Sequence, residues 1–201
     1  PTEVVILGAG TVGEYAVKAA MGLGAMVKVF DQSIYKLRRL QNNINARIFT
    51  SIIQPKVLLK SLRTADVVIG ALHSCQGRTP VVVTEEMVQQ MKYGSVIVDV
   101  SIDQGGCIET SRVTNHLDPV YKKYNVTHYC VPNIASRVPH TASYAFSNFF
   151  APVLVSVGEL GGIEAILKSD PGVRQGVYLF NGILTNQVIG EQFGMPYQDI
   201  D

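Results

Sequence analysis

A chain of 201 residues, 47% hydrophobic and 16% charged with 18 glycines, carries enough apolar material for one sizeable core, or one core with a smaller appendage, and too much for a disordered chain. Seventeen basic residues against 16 acidic ones leave a formal charge of +1 with no run of like charges, which excludes the electrostatic footprint of a nucleic-acid binder. The most apolar stretch, residues 149–157, is interrupted by Pro152 and is too short to cross a bilayer, so no membrane span is expected.

The chain opens at Pro1 and enters a strand within a few residues, without Met and without a signal-like segment, and we expect that sequence has been removed upstream. Residues 4–7 are a short continuous apolar run, as in a strand buried on both faces. Over residues 11–23, Val12, Tyr15, Ala16, Ala19 and Ala20 recur at helical spacing, and Gly24 supplies the stop. Residues 25–30 read as the second strand, 34–44 as a second helix, 55–62 as a third, and 66–72 as a buried strand rich in Val and Ile. Thr84 caps a further helix whose first turn holds Glu85 and Glu86, where negative charge suits the helix dipole, and Gly94 ends it. Residues 95–100 form the next central strand and 126–131 the last of the sheet.

Strands alternating with helices in this way build a parallel sheet with crossover helices, so the fold class is α/β, a Rossmann-type doubly wound parallel sheet. Past His140 the alternation stops. A helix from residue 141 to about 159 is followed by the breakers Gly161, Gly162, Pro171 and Gly172. We therefore divide the chain into a nucleotide-binding domain, 1–139, and a C-terminal helical segment, 140–201, that belongs to an incomplete second domain. Phe146, Phe149, Phe150, Val153, Leu154 and Val157 give the long helix more apolar surface than one amphipathic face needs, so part of it is expected to pack on the missing domain or on another subunit.

The chemistry begins at Gly8-Ala9-Gly10-Thr11-Val12-Gly13, a G-x-G-x-x-G sequence lying between an expected strand and an expected helix. There Gly8 permits a tight turn, Gly10 lets the backbone approach a pyrophosphate, and Gly13 lets the helix pack closely on the strand. The helix N-terminus offers N–H groups and a positive dipole end to the phosphates. Asp31 follows at the end of the second strand, at the fingerprint's distance, where a carboxylate accepts hydrogen bonds from ribose hydroxyls and repels a 2′-phosphate. The cofactor expected is NAD rather than NADP, with Lys36 and Arg38 close enough to soften the discrimination.

Asp103 lies just beyond the C-terminal end of a central strand, in Val98-Asp99-Val100-Ser101-Ile102-Asp103-Gln104-Gly105-Gly106. Ligands of open α/β sheets bind at that edge, so Asp103 faces the nicotinamide end of the cofactor or else bonds its own turn. Asp99 serves structure, and His128 reads as a half-buried structural histidine. His73, His116 and His140 have no partner at metal-binding spacing, so no metal is expected. Cys75, Cys107 and Cys130 are odd in number and lack paired spacing, which fits reduced thiols in a cytoplasmic enzyme, with Cys107 and Cys130 as small buried hydrophobes.

The segments 5–13, 94–100, 102–107 and 128–133, with Thr185-Asn186 and Phe193-Gly194-Met195-Pro196-Tyr197 near the end, are similar to the alanine dehydrogenase family over almost all of the chain. Asp103-Gln104-Gly105-Gly106-Cys107 is the most specific of them. The resemblance implies reversible NAD-dependent oxidative deamination of L-alanine to pyruvate and ammonia in a homo-oligomer, hydride leaving the substrate α-carbon for the nicotinamide before water hydrolyses the imine. It implies an active-site role for Asp103 beside the nicotinamide and an adenosine-ribose role for Asp31 and Lys36. It also implies that Leu72, Ile102, Arg112, Val131, Asn133 and Ile134 line the cofactor, with His73 in the same stretch. Ile53 stands where many members have a cofactor-contacting serine, and His73-Ser74-Cys75-Gln76 replaces a more apolar loop containing Pro and Gly.

The family's substrate-binding Arg and Lys and its acid–base His belong to a region preceding Pro1. The expectation is therefore a cofactor-binding part that holds NAD(H) without turning over alanine. Two alternatives stand beside it. One is the NAD-binding domain of a proton-translocating NAD(P) transhydrogenase, against which the Asp103–Gly106 segment and the C-terminal tail speak. The other is a non-catalytic NAD-sensing module or a degenerate fold, against which the intact Gly10 and Asp31 speak.

Overall fold

In a computed structural model that describes residues 1–74 and 77–200, the apolar run at the start of the chain forms β1 (Glu3–Leu7). Its side chains alternate between two apolar clusters, one on each side of a sheet. Val4 and Ile6 join Val17, Leu37 and Leu40, whereas Val5 and Leu7 join Leu58, Leu62, Val88 and Ile97. A strand buried on both faces cannot show polar alternation, which is why the run is continuous.

The first of two units, Pro1–Ile134, continues with α1 (Thr11–Gly22), β2 (Met26–Asp31), α2 (Ile34–Ile44), β3 (Phe49–Ile52), α3 (Pro55–Leu62), β4 (Val67–Gly70), α4 (Glu85–Gln89) and β5 (Val96–Asp99). A 3₁₀ turn, Val100–Gln104, follows β5, and β6 (Val120–Lys123) and β7 (Val126–Tyr129) complete the unit's strands. The strand order is β3-β2-β1-β4-β5-β7-β6, parallel throughout except for β6, which pairs antiparallel with β7. The order reverses between β1 and β4, and this switch point is where a doubly wound sheet opens a crevice. Leu7 pairs with Gly70 and Gly70 with Asp99, so the loops after β1, β4 and β5 emerge at one level of the sheet edge.

Helix α2 starts at Ser33, whose hydroxyl accepts from the Lys36 N–H, and stops at Asn45 in the left-handed region. Helix α3 starts with Pro55 in its first turn. Helix α4 is shorter than expected: Thr84 caps it as read, but it ends at Gln89, and Gly94 instead turns the chain into β5 with φ +80°.

Two strands of this first unit, β3 and β6, were absent from the expectation. β3 is an edge strand with a polar centre, Thr50-Ser51, and so has no apolar run. β6 displaces β7 from the sheet edge, and the two are joined by Tyr124-Asn125, both at positive φ as a two-residue type I′ hairpin requires.

From Ala135 onward the second unit contains α5 (Pro139–Glu159), α6 (Ile163–Ser169), α7 (Pro171–Gln175), β8 (Leu179–Phe180), β9 (Ile183–Leu184) and α8 (Gln187–Phe193). The small β8–β9 hairpin turns on Asn181-Gly182. The Asp170 carboxylate caps α7 by accepting from Gly172 and Val173, and Asn186 caps α8 by accepting from Ile189. Among the described residues no single helix is long and apolar enough to cross a membrane; α5 and α6, bent by 110°, reach that length and hydropathy only when taken together.

Candidate functional site

The turn between β1 and α1 is held by close approaches that leave room for hydrogen alone. Gly8 has φ +116°, and a Cβ there would sit 2.3 Å from the Ala71 carbonyl oxygen. A Cβ on Gly13 would sit 1.9 Å from the Gly8 carbonyl oxygen. Gly10 differs: a Cβ built on it would meet nothing within 4 Å. Gly8 and Gly13 are thus required by the fold, whereas Gly10 keeps open a space beside the first turn of α1. Thr11 begins that helix, Gly10 offers no side-chain cap, and the first-turn N–H groups have no acceptor within the helix.

Asp31, 5% exposed at the end of β2, joins this turn to the next strand. One carboxylate oxygen accepts from the Ala9 N–H at 2.8 Å and the other from the Ser33 N–H at 2.8 Å. Each oxygen keeps a further lone pair. Asp31, Gly10, Lys36, Leu72 and His73 together line a hollow of about 290 Å³ at the sheet edge.

A second hollow of about 340 Å³ is lined by Val12, Leu72, His73, Ser101, Asp103 and Gln104. The loop after β4, at Ala71, Leu72 and His73, walls both, so the two form one crevice across the switch point. The more polar end lies toward Asp31 and the more apolar end toward Asp103.

The remaining candidates lie elsewhere. Ile102 and Val131 are each 4% exposed and belong to the buried core. Arg112 lies over the Tyr121 ring, 4.3 Å from its centroid. The Asn133 N–H donates to Asp103 Oδ1 at 2.8 Å, and Asn133 itself has φ +50°. Ile134 closes the first unit. None of these five lines either hollow. Ile53 packs against the core of the first unit. Cys75 and Gln76 lie outside the described residues.

The turn that presents Asp103 is anchored from below by Asp99, which is 1% exposed. Its carboxylate accepts from the Ser101 N–H at 3.1 Å, the Cys107 N–H at 3.1 Å and the Ser111 hydroxyl at 2.7 Å. Burial raises the Asp99 pKa above the ordinary carboxylate value, and these three bonds oppose the rise. Burial together with the neighbouring Asp99 charge also pushes the Cys107 thiol up, which makes it an inert hydrophobe rather than a nucleophile. His128 is fully buried between the Thr110 hydroxyl at 2.8 Å and the Val126 carbonyl at 3.1 Å, stacked on Tyr121. Burial holds its pKa below 6.5.

Gln104 and the wall residues Ser33 and Pro80 had no assigned role in the sequence reading. Their part in the site depends on loops meeting in space, and the one local signal was the adjacency of Gln104 to Asp103.

The family described as "Alanine dehydrogenase/PNT, C-terminal domain" matches residues 1–187. The chain is 39% identical over 197 residues to the alanine dehydrogenase of Halomonas elongata, an alignment covering 98% of this chain and 53% of that protein. It superposes on a solved L-alanine dehydrogenase with a TM-score of 0.87 at 37% identity, covering 96% of this chain and 53% of the other. On a transhydrogenase from Sinorhizobium meliloti the TM-score is 0.67 at 26% identity, covering 76% and 43%. The chain spans about half the length of the curated relatives it matches.

Proposed function

The chain belongs to the alanine dehydrogenase/PNT C-terminal domain family, and from that membership we propose that it is the NAD(H)-binding part of an NAD-dependent alanine dehydrogenase acting on L-alanine and pyruvate. The observation that carries this reading is the open space at Gly10 between two glycines that the fold itself requires. A backbone without a side chain, beside a helix N-terminus and an acidic strand end, is what a dinucleotide pyrophosphate and ribose need.

In this reading Gly10 and the α1 N-terminus hold the pyrophosphate, and the free lone pairs of Asp31, with Lys36 beside it, hold the adenosine ribose. Leu72 and His73 wall the middle of the cofactor, while Asp103 stands at the nicotinamide end. When bound, the nicotinamide supplies a hydride acceptor for the substrate α-carbon. Asp103, fixed by the Asn133 N–H, then presents its second oxygen to the reacting end. Ile102, Arg112, Val131, Asn133 and Ile134 shape that end from behind or beside the turn.

The segment from residue 140 is the helical part of the substrate domain, and the whole protein is a cytoplasmic homo-oligomer whose thiols, among them the buried Cys107 and Cys130, stay reduced. These 201 residues bind the cofactor and do not turn over alanine unaided. The test is calorimetric titration of the chain with NADH and NADPH, on the wild type and on Asp31→Asn. NADH binding tighter than NADPH, with the preference narrowed in the variant, supports the reading; absence of binding by either nucleotide overturns it, and alanine-dependent NADH formation overturns the claim of inactivity.

A further inference from the structure

The 3₁₀ turn after β5 reaches out with two consecutive side chains to two different loops. Asp103 takes the Asn133 N–H, in the loop after β7. Gln104 reaches the loop after β4, and there its carboxamide pairs with both backbone groups of one residue, Ser74. Its Oε1 accepts from the Ser74 N–H at 3.1 Å, and its Nε2 donates to the Ser74 carbonyl at 3.1 Å. An amide side chain used in this way reproduces the two-bond exchange of a strand pair.

The same loop is tied to the turn at three further points. The Ser101 hydroxyl donates to the Leu72 carbonyl at 2.9 Å. The Thr79 N–H donates to the Gln104 carbonyl at 2.9 Å, and the Thr79 hydroxyl reaches Gln104 Oε1 at 3.4 Å. His73, which walls both hollows of the crevice, therefore sits between a peptide held by Ser101 and a peptide held by Gln104.

We propose that Gln104 is a positioning residue that latches the loop after β4 through the Ser74 backbone and so sets the partition, at His73, between the adenosine and nicotinamide halves of the crevice. The inference rests on the cofactor reading above and goes beyond it, since it gives the neighbour of Asp103 a task that needs no contact with the cofactor. Both amide functions are needed. Gln104→Glu keeps the acceptor for the Ser74 N–H but turns a carboxylate oxygen toward the Ser74 carbonyl, where a donor stood.

The experiment compares the wild-type chain with Gln104→Ala and Gln104→Glu by amide hydrogen exchange without nucleotide and by titration with NADH. In Gln104→Ala the Ser74 amide is expected to exchange at least about tenfold faster, the loss of one protecting bond, while the strand amides of Val68 and Ile97 stay as slow as in the wild type and report an intact fold. The NADH dissociation constant is expected to rise about fivefold or more in both variants. Unchanged Ser74 exchange in Gln104→Ala overturns the latch. Faster exchange with unaltered NADH affinity overturns its role in shaping the site. A wild-type chain that bound no NADH would overturn the cofactor reading instead, and the exchange comparison then decides the latch by itself.

Discussion

In the first unit Phe30, Leu58, Leu62 and Ile97 are fully buried, and two apolar clusters clasp a sheet between them. In the second, the 21 residues of α5 include none that is buried, and Tyr144, Phe146, Phe149 and Leu154 are each more than 60% exposed. Both units are rich in apolar residues, so composition does not separate them. What separates them is whether the chain itself supplies a partner for each apolar face. The first unit holds its loops at the sheet edge to within a van der Waals contact, as Gly8, Gly13 and Asp99 show. The second is ordered by local devices, among them the Asp170 and Asn186 caps and the Asn181-Gly182 turn.

The contrast can be broken most severely at Gly13. Gly13→Ala drives a Cβ to 1.9 Å from a backbone oxygen, and since neither partner is a flexible side chain the expected loss exceeds about 4 kcal/mol. Urea unfolding of the first unit measures it, and a loss below about 1 kcal/mol would mean that the β1–α1 turn is not rigid.

A smaller break is expected from His128, which makes the stability of the first unit depend on pH. Its folded-state pKa is depressed below 6.5 by burial, so its contribution is fully present above the unfolded value and is lost as pH falls through the folded one. The unfolding midpoint of the wild type should therefore decrease as pH falls below about 6.5, the unfolded-state value, and His128→Gln should flatten that slope. Equal slopes in the two proteins would place the pH dependence elsewhere.

The smallest effect sharpens the contrast. Phe149→Ser replaces a side chain that is 67% exposed, and its cost should stay within about 0.5 kcal/mol by the same unfolding measurement. A cost above about 2 kcal/mol would show that α5 is covered in solution.

Much of the first unit was legible in the sequence because its elements announce themselves locally. Pro55 opens α3, and Thr84 caps α4. The continuous apolar runs of β1, β4 and β5 read as strands buried on two faces. β3, β6 and the β8–β9 hairpin left no such trace, because a short edge strand with one solvated face needs few apolar residues. In the candidate site the division is similar. Glycines and Asp31 were readable because backbone geometry and strand ends dictate them, whereas the Gln104–Ser74 pairing spans 30 residues of sequence and exists only once two loops have met. Ile102 and Val131, which the resemblance alone singled out, are each 4% exposed, a burial that no local sequence pattern announced.

Gly10→Ala tests the central claim, that the crevice above this glycine holds the cofactor. The substitution meets open space at a φ of −80° that any residue adopts, so stability should change by no more than about 1 kcal/mol, the helix-cap cost. Calorimetric titration of this variant beside the wild type is predicted to show NADH affinity reduced by at least about tenfold, because the methyl group occupies the approach that the pyrophosphate needs. A Gly10→Ala chain that bound NADH as tightly as the wild type would contradict the account.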